Sequence, residues 1–114
     1  MTIYNNLPVY KTSYDFLLDV FNFTKNFKRE YKYTLGEDMK KEITSMIADI
    51  YRANSVQSKH SLLQSAREHL EVIRLYLRLS KDLKQISLDK FITFNEKIES
   101  ISKQLYGWQK SGVV

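Results

Sequence analysis

Residues 68–83, EHLEVIRLYLRLSKDL, decide the fold. At about 100° per residue, Leu70, Ile73 and Leu77 stack on one side, a helical period and not the alternation of a strand. The stretch holds no Gly or Pro that would stop a helix. Extended back to Lys59 and on to Lys84, it gives one long helix with Leu63, Ala66, Leu70, Ile73 and Leu77 as its seam. Leu62, His69, Val72, Tyr76, Leu79 and Leu83 occupy the adjoining arc, and Leu75 lies beyond it. The apolar surface spans about 240°, whereas a helix facing one core needs little over 100°.

The rest of the chain has the same character. Its 114 residues include 43% hydrophobic residues, only 3 Gly and 1 Pro, and no Cys. That composition excludes a disordered tail, disfavours a turn-rich sandwich or barrel, and rules out disulfides and thiolate metal sites. Pro8 suits the first position of a helix over 8–27. In it Tyr10, Tyr14, Leu17, Leu18 and Phe21 share a flank that Val9, Phe16, Val20, Phe23 and Phe27 widen past half the circumference. TLGE, residues 34–37, has the spacing of a capping box. It opens a helix over 35–54 whose narrow apolar face is Met39, Ile43, Met46, Ile47 and Ile50. Ser87, with Asp89 in the first turn, caps a last helix over 88–106. That helix carries Phe91, Phe94, Ile98, Ile101 and Leu105, and Gly107 stands at its C′ position. Beyond it, Trp108 and QKSGVV are expected to fray.

Four helices of similar length with short connections predict an all-α fold: an antiparallel up-down-up-down four-helix bundle in a single domain, 1–114. The longest connection is KREYKYT, residues 28–34. MTIYNNLPVY lacks the charged start and apolar core of a signal peptide, and no apolar run reaches the roughly 20 residues that span a bilayer. The expectation is a soluble, cytoplasmic protein without membrane contact.

The wide apolar arcs on the first and third helices have two readings: a deep core, or faces that meet other copies of the chain in a closed oligomer. Charge divides the readings again. The net charge is +5, from 18 basic and 13 acidic residues, with six basic and three acidic residues in 58–86. Arg67, Arg74, Arg78 and Lys81 fall within about 60° on the polar strip of the third helix. They are either solvated ion pairs, with Glu71 at the edge, or a basic ridge for phosphates. Lys25, Lys28, Arg29 and Lys32 make a second basic patch. The interleaved Tyr31 and Tyr33 either stack on bases or cap the bundle core.

Catalysis finds little to work with. His60 and His69 are nine residues apart and on different faces, and His69 sits in the apolar arc. No Glu-x-x-His pair supplies a di-iron carboxylate site. Glu68 with Glu71, and Glu96 with Glu99, read as surface pairs. No phosphate-cradling glycine loop or nucleophile with a base is present. Neither metal, cofactor nor enzyme activity is expected.

LPVYKTSYDFLLDVF (7–21), REYKYTLGEDMKKE (29–42), IYRAN (50–54) and AREHLEVIRLYLRLSKDLKQI (66–86) occur in an order and spacing that carry a resemblance. The chain resembles the accessory variability determinant (Avd) proteins of diversity-generating retroelements, from about Leu7 to Lys110. The resemblance implies a barrel-like homopentamer of four-helix bundles with a positive surface. It also implies association with the retroelement's reverse transcriptase and with nucleic acid (template RNA, cDNA). The accessory subunit supports error-prone copying at adenines and has no catalytic site. On this chain the basic surface would include Arg67, Arg74, Arg78 and Lys81, and the spare arcs would make the subunit contacts. Four-helix bundle proteins encoded in large-subunit ribosomal RNA insertions share the architecture and supply the alternative, a structural or ribosome-associated role.

Overall fold

A computed structural model describes residues 7–111; the readings of the first six residues and of the last three lie outside it. The described residues form helices and connections, with no strand. Helix α1 spans Pro8–Thr24, with Pro8 in the first turn as expected. After a turn at 25–28, helix α2 (Arg29–Tyr31) runs through a π-helical segment, Lys32–Gly36, into α3 (Glu37–Ala53). Helix α4 is His60–Asp82 and α5 is Leu88–Ser111.

Cross-helix contacts fix the direction of each neighbour. Thr12 and Asp19 of α1 meet Gln104 and Lys97 of α5. Arg67 and Arg74 of α4 meet Gln109 and Glu99 of α5. In both pairs the numbers fall on one helix as they rise on the other, which is antiparallel packing. Lys40 of α3 over Phe21 of α1, and Glu42 of α3 with His69 of α4, complete the square. Sequential helices are thus neighbours, an up-down-up-down bundle.

The core takes one stripe from each helix. Phe16 and Val20 of α1, Met39, Ile43, Met46 and Ile50 of α3, Leu63, Ile73 and Leu77 of α4, and Ile98, Ile101 and Leu105 of α5 are fully buried. The predicted seams of α3, α4 and α5 therefore face inward, with Ile47 and Phe91 packed at the margin. On α1 the broad flank splits. Val9, Phe16, Val20 and Phe23 go inside, where Phe23 stacks on Phe94 at 4.6 Å. Tyr14, Leu18 and Phe21 remain exposed.

Several boundaries differ from the expectation. The first helix ends at Thr24 and not near Phe27, and the third ends at Asp82 and not Lys84. Lys84 adopts the left-handed conformation (φ 62°). Its N–H reaches the Lys81 carbonyl and that of Gln85 the Ser80 carbonyl, a Schellman stop. KREYKYT is helical from Arg29 onward, so Thr34 is no cap. Its hydroxyl donates to the Glu30 carbonyl at 2.7 Å, as a hydroxyl inside a helix does. The helix runs through because Leu35 and Gly36 are buried against α1. Gly36 lies close enough to Thr24 that an added Cβ would sit 3.4 Å from the Thr24 Cβ. Ser87 does cap α5, accepting the Lys90 N–H at 3.1 Å. Gly107, however, does not end it. The helix continues to Ser111, and Gln109 is buried instead of frayed.

Candidate nucleic-acid and partner interface

The basic ridge of α4 lies along its seam with α5. Arg67 donates to the Gln109 carboxamide at 2.7 Å, and its guanidinium stands 5.1 Å from the Tyr106 ring. Arg74 bonds Glu71 at 3.1 Å and also Glu99 across the seam. The Glu99 contact raises the Arg74 pKa and, reciprocally, holds the Glu99 carboxyl below the usual carboxylate range. Lys81 lies 4.9 Å from the Phe91 ring and 3.6 Å from Asp82. Arg78 alone of the four projects freely: it is 66% exposed and pairs with Asp82 at 3.3 Å. Long cationic side chains have laid their stems over α5. A helical wheel of α4 cannot show this, because it omits what the neighbouring helix offers.

The second basic group sits at one end of the bundle, where α1 turns into α2. Lys25, Lys28 and Arg29 are exposed and Lys32 is half-buried. Among the described residues none of the four has a carboxylate within ion-pair distance. The Lys28 backbone N–H donates to the Gln85 side chain at 2.8 Å, tying this turn to the one after α4. The two tyrosines differ in burial. Tyr31 packs against the core, and Glu30 beside it raises its phenol pKa. Tyr33 is 61% exposed, with Arg29 and Lys32 at 5.9 and 5.8 Å from its ring.

Polar clusters elsewhere have structural partners. His69 is half-buried at the α3–α4 seam and not in the core, with Nδ1 2.8 Å from Glu42 and Nε2 3.6 Å from Asp49. Asp49, itself buried, accepts from Arg52 at 2.6 Å. Gln109, which the sequence reading passed over, receives Arg67 and donates to Gln64 at 3.1 Å and to the His60 carbonyl at 3.3 Å. Only the continuation of α5 past Gly107 would have revealed it. Among the described residues no group of three or more His, Cys, Asp or Glu could hold a metal ion. Nor is any described helix long and apolar enough to cross a membrane.

Rows of exposed apolar side chains stand on α1 and α4, which do not pack as neighbours, and Tyr51 of α3 and Leu88, Ile92 and Tyr106 of α5 are exposed as well. On α4 the row Leu75, Leu79 and Leu83 is exposed, on the side turned away from Leu70 and Leu77. On α1 the row is Tyr14, Leu18 and Phe21. They are only part of the wide arcs expected on these helices, since Tyr10, Leu17, Leu62 and Tyr76 of those arcs pack against the core.

The bAvd-like family model matches residues 8–112, nearly the whole chain. The chain belongs to the bAvd-like family. No curated protein matches it. Membership bears out the Avd resemblance, and the match runs through all four long helices of this bAvd-like bundle.

Proposed function

We propose that this bAvd-like protein is the non-catalytic accessory subunit of a diversity-generating retroelement. In this reading it binds the reverse transcriptase and nucleic acid (template RNA and cDNA) in the cytoplasm and supports mutagenic retrohoming. Family membership over residues 8–112 is the observation that carries the reading. The surface is consistent with it: exposed apolar rows on α1 and α4, and Lys25, Lys28, Arg29 and Lys32 without a carboxylate in ion-pair distance among the described residues.

The proposed assembly is a ring. Tyr14, Leu18 and Phe21 of one protomer pack on Leu75, Leu79 and Leu83 of the next. Two different patches meeting head to tail make a heterologous contact, which closes into a ring when the rotation permits. Five subunits is the number the family implies. In the ring α4 is covered on most sides and Arg78, with Lys81 beside it, is the part of the ridge that stays outside.

Co-expression with the reverse transcriptase of the same locus, followed by pull-down with and without nuclease, tests the proposal. A complex that survives nuclease supports direct protein contact, and one lost with nuclease makes RNA the bridge. If well-folded protein captures neither enzyme nor RNA, the accessory role fails and the ribosome-associated alternative gains.

A further inference from the structure

The net charge of the protein resides at one end of the bundle. Residues 25–36 and 78–90, the end where α1 turns into α2 and α4 turns into α5, hold eight basic and three acidic side chains. That excess equals the +5 of the whole chain, so the other residues balance. Of these eight basic side chains, Arg78 and Lys81, which also belong to the α4 ridge, have Asp82 as a carboxylate partner. Lys25, Lys28, Arg29, Lys32 and Lys84 at the end have none within ion-pair distance among the described residues. The Lys28–Gln85 hydrogen bond brings the two turns, and with them these cations, onto one surface.

Beside Arg29 and Lys32 stands Tyr33, the most exposed aromatic side chain of the described residues at 61%. A tyrosine whose ring is mostly in water makes little contribution to folding. Its neighbour Tyr31 packs against the core. The π-helical register of 32–36 places Leu35 inward while leaving Tyr33 outside. π-turns inside helices recur at functional positions. Arg29 and Lys32 stand over the Tyr33 ring at 5.9 and 5.8 Å, near the outer limit of a cation–π contact, so two positive charges flank an exposed aromatic surface.

We propose that this end of the bundle, centred on Tyr33, is a docking surface for single-stranded nucleic acid. Tyr33 stacks on an unpaired base while Arg29, Lys32, Lys28 and Lys84 hold the flanking phosphates. The inference rests on the nucleic-acid part of the function proposed above and moves the contact from the α4 ridge to the bundle end. A single strand is favoured over a duplex for two reasons. The faces of paired bases are closed by stacking, so an aromatic platform engages only splayed bases. The bundle is also only 23 by 21 Å across, which suits a few nucleotides and not a long duplex footprint.

Fluorescence anisotropy with a labelled mixed-sequence single-stranded oligoribonucleotide, and with the same strand annealed to its complement, tests the site on the full chain. Tyr33→Ala should weaken single-strand binding roughly five- to a hundredfold, and Tyr33→Phe should bind as the unmodified protein does. The Arg29→Glu, Lys32→Glu double variant should weaken binding and flatten its salt dependence, whereas Lys103→Glu at the opposite end should change it far less. Circular dichroism melting confirms that the variants fold. Binding by Tyr33→Ala equal to the unmodified protein overturns the site, as does a duplex bound as tightly as the single strand. Failure of the unmodified protein to bind single-stranded RNA at all overturns the nucleic-acid part of the proposed function as well.

Discussion

Arg74 shows how a residue can be read correctly as basic and surface-lying yet have its charge committed. It bridges Glu71 of its own helix and Glu99 of α5, so replacing it with Glu would set like charges beside both. Glu99 is the cleaner probe. Its carboxyl is held below the usual range by Arg74, so its stabilisation is present at neutral pH and lost as the pH falls through that lowered value. Glu99→Gln should lower stability at pH 7 by less than about 1 kcal/mol, since the pair is partly exposed. In thermal melts the gap from the unmodified protein should close in acid. Gln109 is the opposite case: an unremarkable amide in the sequence that becomes buried and satisfies Arg67, Gln64 and His60. Gln109→Ala should cost about 1 kcal/mol in urea unfolding, because it removes several hydrogen bonds whose partners, Arg67, Gln64 and His60, retain access to water.

Helix ends were less legible than helices. The seams of α3, α4 and α5 follow directly from periodicity, since a 3.6-residue repeat of large apolar groups has one face to bury. Caps are weaker signals, worth about 1 kcal/mol each, and tertiary burial overrides them. Thr34 gives up its capping position because Leu35 and Gly36 pack on α1. Gly107 fails to stop α5, where Gln109 gains its partners two residues on. Gly107→Ala decides between cap and interior. An added Cβ there meets nothing within 4 Å, so alanine should stabilise the protein by about 0.5–1 kcal/mol. A left-handed cap would instead lose stability. A raised midpoint of thermal unfolding is the expected result.

At the scale of the whole molecule, the excess apolar surface predicts that assembly and folding can be separated. Leu75→Glu or Leu18→Glu alters a side chain that the bundle leaves about half exposed. Either should reduce the proposed ring to monomers by light scattering, while far-ultraviolet circular dichroism keeps its helical signal. Loss of helicity along with assembly would place these residues in the core after all. The sequence by itself determined the helical class, the number of long helices and three of the four core seams, because hydrophobic periodicity is local and survives any packing. It also showed apolar arcs on α1 and α4 wider than one helix face needs, which left a deep core or a subunit contact equally open. Only the tertiary structure decided which part of the α1 flank is inside and that Arg67, Arg74 and Lys81 lean onto α5. It alone tied the turn at Lys28 to the one at Gln85 and set Arg29 and Lys32 beside Tyr33. Those outcomes depend on what a neighbouring helix places opposite each side chain, and that information lies in the packing and not in any one segment.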